Sequence, residues 1–221
     1  MKNAFLVSTS LLLCCGCGAE QHADEAASKR FSAEVQAIAN SLVKGELKYP
    51  HQSVVARMNE IMSGMSNQTR RIEVAHSYAT MLVDINLGAL PFKRRGAVAP
   101  LYGQHICFAF RTMVKNGVDP NEAMSLFFDC IRKFHDAYIS VPTSAKSDDE
   151  SQCEFMERIE CARALRDAYV YTVTLISSFW IPHMEDYIPV QYHEEFKRRF
   201  ETFFRGIGSG PEWGQSPNRM L

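Results

Sequence analysis

Along most of the chain apolar residues recur at steps of three and four. Phe31, Val35, Ile38, Leu42 and Val43 form the first such series, the spacing that puts side chains on one face of a helix. Gly45 and Pro50 limit it. Val54, Met58, Ile61, Met62 and Met65 predict a short second helix, and a third runs from an N-cap at Asn67 through Ile72, Ala75, Ala79 and Leu82 to Gly88. PFKRRGAVAP (91–100) reads as a loop, because two prolines and a glycine interrupt any period.

LYGQHICFAFRTMVKNG and DPNEAMSLFFDCIRKFHDAYIS then predict an α-hairpin. Asp119 supplies a cap, Pro120 suits the first helical position, and Glu122 stands three residues after the cap. VPTSAKSDDESQ is a polar loop leading into the longest predicted helix, 149–181, which Pro182 ends. Its later half, AYVYTVTLISSFWI, is 14 residues long, short of the about 20 that a bilayer crossing needs. It therefore reads as the buried axis of the fold, with Val173, Ile176 and Phe179 on one inner stripe. A last helix over 189–205 carries Phe196, Phe200, Phe203 and Phe204, with Lys197, Arg198 and Arg199 on other faces. The expected fold is all-α, a single-domain bundle of six or seven helices over residues 31–206, followed by a disordered tail at 207–221.

The first residues follow a different logic. Lys2 precedes an apolar stretch from Ala4 to Leu13 that only Ser8, Thr9 and Ser10 interrupt, and small residues follow at Gly16, Gly18 and Ala19. That is the layout of a secretory signal. CCGC (14–17) lacks the repeated two-residue spacing of a zinc site. Gly16-Cys17 resembles the processing site of bacterial lipoproteins, in which the cysteine receives lipid and becomes the mature N-terminus. Cys14 stands where such signals carry Leu. Cys15 has Leu12 three before it but no small residue just ahead. The resemblance implies a signal at 1–16, lipid on Cys17, a polar tether at 17–30 and, because Gly18 is not Asp, outer-membrane sorting in a Gram-negative envelope. Cleavage after Ala19 is the rival reading and gives a soluble exported chain.

With 24 basic against 25 acidic residues the chain lacks the charge excess of a nucleic-acid binder. Its one basic run, Lys93-Arg94-Arg95, reads as part of a solvated loop. Four cysteines follow the signal: Cys107, Cys130, Cys153 and Cys161. In an exported chain they suggest disulfides, and small buried thiols are the alternative. About the hairpin turn near Val118, Cys107 lies 118 − 107 = 11 residues before and Cys130 lies 130 − 118 = 12 after, so the two share a level and can bond. Cys153 and Cys161 within one helix would be about 12 Å apart along the axis, too far for a disulfide.

Candidate chemistry is sparse. Glu73 and His76 have the Glu-x-x-His spacing of di-iron bundles, but no second such pair exists, and YHEEF (192–196) lacks the second histidine of a zinc protease. No metal ligand set is assigned. His135-Asp136 resembles the His-Asp step of secreted phospholipases A2. There the implied roles are His135 as general base on water and Asp136 as calcium ligand. Cys130 precedes His135 by five and Tyr138 follows it by three, off that family's spacing, and no glycine-rich calcium loop lies upstream. The favoured expectation is a non-enzymatic, lipid-anchored envelope protein without cofactor. It would bind an unknown protein partner or an apolar ligand, or serve structurally, and would bind no nucleic acid. A secreted lipid hydrolase using His135, Asp136 and calcium is the alternative.

Overall fold

Among the described residues seven α-helices succeed one another: α1 (Phe5–Lys44), α2 (His51–Ser63), α3 (Gln68–Asp84), α4 (Phe92–Lys115), α5 (Pro120–Ile139), α6 (Gln152–Leu175) and α7 (His193–Ile207). Single 3-10 turns lie at Leu87–Ala89, Met184–Asp186 and Val190–Tyr192. This is a computed structural model, and it describes residues 5–44, 51–176, 183–186 and 188–207, with side chains from residue 20 onward except at 51, 184, 204, 206 and 207. Among the described residues there is no strand, and the architecture is an all-α bundle. None of these helices is long and apolar enough to cross a membrane.

The first stripe is buried as its spacing requires, with Phe31, Val35, Ile38 and Leu42 all in the core. α3 starts at its expected cap, where the Asn67 side chain accepts from the Arg70 amide. α5 starts where Asp119 accepts from the amides of Asn121 and Glu122, with Pro120 in the first turn. α6 opens on a full capping box: Ser151 and Glu154 each accept from the other's backbone amide.

Cross-helix pairs fix the directions. Tyr102 on α4 donates to Leu82 O on α3 at 2.8 Å, and Tyr78 on α3 shares a 2.5 Å hydrogen bond with His105 on α4. Phe110 packs on Phe127 and Tyr102 on Phe134, so α4 and α5 are antiparallel in the register of the predicted hairpin. Gly96 meets Cys161 and Gly103 meets Thr172, so α4 and α6 run parallel. α3 and α5 thus run one way, and α4 and α6 the other. Phe196 of α7 closes the lower α4–α5 groove against Phe110, Phe127 and Phe128; burying each such ring is worth about 1.5–3 kcal/mol.

Four expectations change. PFKRRGAVAP is the beginning of α4, not a loop: Pro91 is the N-cap, and Pro100 sits inside the helix. An internal proline costs about 3 kcal/mol, and packing of α4 against α1, α2, α3, α5 and α6 offsets it. The axis of the bundle is accordingly α4, whose Val98, Ala99, Tyr102, Ile106 and Phe110 are buried. Among the described residues α6 is covered on one side only. Its Ile176 is buried and Val173 half-buried, but Val170 and Tyr171 face outward, and Phe179 lies outside the described residues.

The tether expected at 17–30 is helical as part of α1, and Asp24 is buried at 5% exposure against the start of α3. The bundle thus begins before residue 31. Finally, Cys107 and Cys130 share a level but do not bond; all four described cysteines are free thiols. The Cys130 sulfur turns to α3, 4.0 Å from Ala79 O, because rotation about the helix axis, not level alone, sets where a side chain points. Cys153 lies exposed in the first turn of α6, and Cys161 is buried against Gly96 of α4. The tail at 208–221 lies outside the described residues.

Candidate functional site

His135 and Asp136 are neighbours on α5, yet a helix turns each residue about 100° from the last, and the pair diverges. The His135 side chain is 13% exposed while that of Asp136 is 62% exposed, and Nδ1 and Oδ1 stand 3.8 Å apart, too far for a hydrogen bond. His135 tucks beneath Tyr169 and Tyr138, with ring centroids at 5.5 and 6.4 Å. Burial holds its imidazole below the ordinary histidine value, and the Asp136 charge works against that shift. Among the described residues the buried Tyr169 hydroxyl has no hydrogen-bond partner, and burial pushes its pKa up. This is an aromatic patch between α5 and α6 rather than an assembled dyad with a carboxylate holding the ring.

His76 is likewise drawn away from Glu73. Its Nε2 lies 3.0 Å from Glu122 on α5, while Glu73 pairs with Arg70 at 3.3 Å. Among the described residues no group of three or more His, Cys, Asp or Glu could hold a metal ion. Cys17 lies among residues whose side chains are not described.

A further concavity among the described residues is a cleft of about 670 Å³ where α4 begins, α5 ends and α6 begins. Sequence reasoning missed it because two of its walls come from segments read as loops. Leu90, Phe92, Pro142 and Ala145 supply apolar lining. Two arginines support it. Arg158, buried at 6%, makes a bidentate pair with Glu150 at 2.8 Å for both bonds and donates to Pro142 O, which moors the 141–150 loop. The guanidinium beside Glu150 holds that carboxyl below its usual range.

Arg95, buried at 7%, has a different environment. Its Nε donates to Leu90 O at 3.2 Å, Nη2 to Leu90 O at 3.1 Å and to Gly88 O, and Nη1 to Ser140 Oγ at 3.0 Å. Its guanidinium also lies 5.4 Å from the Phe92 ring centroid. No carboxylate among the described residues pairs with it. The signal for this site in the sequence was the basic run itself: one of three consecutive cations falls on the inner face once the segment is helical, and Lys93 and Arg94 stay exposed.

No protein-family description, no curated protein and no solved structure matches this chain. The functional reading therefore rests on the sequence and the geometry alone.

At the other end of the bundle, the Asp24 carboxylate accepts from Ser66 N at 2.7 Å, Ser66 Oγ at 2.9 Å and Asn67 N at 2.8 Å. Gln68, beside it, donates to Asn116 O just past the end of α4 at 2.5 Å. The α4 helix has 24 residues, so the Asp24 end and the cleft end are about 36 Å apart.

Proposed function

We infer that the protein is an exported, lipid-anchored envelope protein that works by binding rather than by catalysis, holding its cleft away from the membrane. Lipid on Cys17 follows from the Gly16-Cys17 step behind the apolar run. Only 24 − 17 = 7 residues separate Cys17 from Asp24, about 10 Å of helix or at most about 25 Å of extended chain. With Asp24 locked onto α3, the anchored end of the bundle would lie close to the bilayer, and the cleft would face the aqueous space.

The observation that supports binding is the cleft itself, of about 670 Å³ with a buried arginine in its wall, within the size range of small-molecule sites. The lipid-hydrolase alternative draws less support. His135 stands fifteen residues after Pro120 on α5, about 22 Å up from the anchored end, and its neighbouring carboxylate turns away.

Intact-mass analysis of the chain from its native membrane tests the address. The expected result is a diacylglyceryl adduct on Cys17, with Cys17→Ser protein released to the soluble fraction or left unprocessed. A Cys17→Ser chain that is processed normally and stays membrane-bound would overturn the anchor.

A further inference from the structure

We propose that the cleft beside Arg95 takes a small amino-carboxylate zwitterion, a free amino acid or short peptide whose carboxylate meets Arg95 and whose ammonium meets Asp149 and Glu157. The proposal rests on the binding reading above and gives it a ligand class.

The argument begins with an unbalanced charge. Buried ions in proteins are paired, because neutral oxygens replace only part of the lost hydration. Arg95 is more than nine-tenths buried and lines the cleft, yet its hydrogen bonds run only to Gly88 O, Leu90 O and Ser140 Oγ. Those bonds use four of the five guanidinium N–H donors, which leaves one on Nη1. The start of α4 adds to the same field. Pro91 provides no side-chain cap, and the first backbone bond of the helix is Arg95 N to Pro91 O at 2.9 Å, so the amides of Phe92, Lys93 and Arg94 have no acceptor in the helix. Uncapped amides and the positive end of the helix dipole favour an anion there.

The opposite wall carries the complementary sign. Of its acids, Glu150 is consumed by Arg158 and Glu154 by the Ser151 amide. Asp149 and Glu157 line the cleft without an ion pair or side-chain hydrogen bond among the described residues. A plain anion would be attracted by one wall and repelled by the other. A zwitterion satisfies both, and the apolar lining residues Leu90, Phe92, Pro142 and Ala145 suit an aliphatic or aromatic side chain.

The test is a thermal-shift titration of the full chain with a set of Ala-X dipeptides at millimolar concentration, followed by calorimetry on the best. A ligand that binds only the folded state raises the Tm by mass action. The expected result is that at least one dipeptide does so. Its N-acetyl and C-terminal amide forms should bind at least about tenfold more weakly, a difference of about 1.4 kcal/mol. The double variant Asp149→Asn/Glu157→Gln, whose substitutions lie at the cleft surface, should lose affinity for the free-amine dipeptide and keep that for the N-acetyl form. Arg95→Lys should lose affinity for both.

Absence of any shift would overturn the proposal. So would a double variant that binds the dipeptide as wild type does, or inorganic phosphate stabilising the chain as much as the best dipeptide, which would make the site one for anions alone. These outcomes are independent of the lipid on Cys17: a failed titration leaves the anchor standing, and an unlipidated chain can still bind the dipeptide.

Discussion

The two ends of the bundle each bury a charge at the start of a helix, and they treat it in opposite ways. At the start of α3, Asp24 receives three hydrogen bonds from Ser66 and Asn67 and stands in the field of Arg71. An anion at a helix N-terminus is favourable by dipole and by hydrogen bond alike. At the start of α4 the buried charge is a cation, Arg95, held on the carbonyls that end the preceding turn and on Ser140 at the end of α5. The first arrangement satisfies its carboxylate with three hydrogen bonds, although Arg71 Nε nearby is buried without a hydrogen-bond partner among the described residues. The second moors two loops yet leaves a positive field in an open cleft. That difference separates a structural latch from a site.

The largest effect is expected at the open end. Arg95→Met removes every donor to Gly88 O, Leu90 O and Ser140 Oγ and should cost about 3 kcal/mol in urea unfolding, since bonds from a charged donor are worth about 1.5–3 kcal/mol each but water in the cleft can replace some. An Arg95→Met protein as stable as wild type would mean that the arginine contributes nothing to the fold and that only its charge toward the cleft matters.

Both ends depend on the register between α4 and α6 that lies between them, and Gly103 tests it. A Cβ at this position would overlap Thr172 Oγ1 and come within 3.2 Å of the Phe134 ring. Overpacking of this kind costs about 1–3 kcal/mol, so Gly103→Ala should lower the unfolding free energy by that amount. Adding Thr172→Ala removes the overlapping oxygen, and the double variant should recover part of the loss relative to the sum of the single changes. Strict additivity would show that the two helices do not meet there.

The same helix shows what was legible in the sequence. Stripes of large aliphatic and aromatic residues read correctly, as at Phe31 to Leu42, because their burial follows from hydropathy and spacing alone. Hydropathy points to α6 as the central helix, because AYVYTVTLISSFWI is nearly all apolar. α4 is the true axis because it spends its inner face on small and polar groups: Gly96 and Gly103 let α6 approach closely, and Tyr102 and His105 are buried through bonds to Leu82 O and Tyr78. Hydropathy underrates such positions, since the partners that make them tolerable are twenty or more residues away. The cleft was illegible for a related reason. PFKRRGAVAP breaks local period rules, and only tertiary packing makes it helical and turns Arg95 inward. His135-Asp136 was visible as a pair, but its divergence was not, because adjacency in sequence says nothing about hydrogen-bond geometry.

A smaller effect is expected at the closed end. Bonds from Ser66, followed by those from Asn67 and the charge of Arg71, hold the Asp24 carboxyl below its ordinary value of 3.8, with burial opposing them. A depressed folded-state pKa contributes stability that is complete above the unfolded value and is lost as pH falls through the folded one. Wild type should therefore lose part of its stability between about pH 4 and the lowered folded value of Asp24. Asp24→Asn keeps an acceptor but not the charge, so it should have a modestly lower Tm at pH 7 and a flatter profile below pH 4. Parallel profiles for the two proteins would remove Asp24 as the latch and with it the short link between Cys17 and the bundle.

The smallest effect concerns reactivity, with no change in stability, and it separates the surface of the cleft end from the sealed middle. Cys153 is exposed in the first turn of α6, whereas Cys107, Cys130 and Cys161 are buried. Burial pushes the thiols of Cys107 and Cys130 up to about 12, which leaves roughly one in ten thousand ionised at pH 8, and the thiolate is the species that alkylates. Cys161 is shielded differently, with its Cα set so that a Cβ on Gly96 would lie only 3.2 Å away. Native iodoacetamide labelling without reductant should therefore modify Cys153 rapidly and the other three only after unfolding in urea, where all four become accessible. Peptide mapping reads each position separately. Rapid native labelling of Cys161 would mean that the start of α6 separates from α4 and that the cleft is not a fixed shape. A Cys107–Cys130 linked peptide would mean that α5 rotates toward α4 in the oxidised protein, carrying Cys130 away from Ala79 and Ser140 away from its place beneath Arg95.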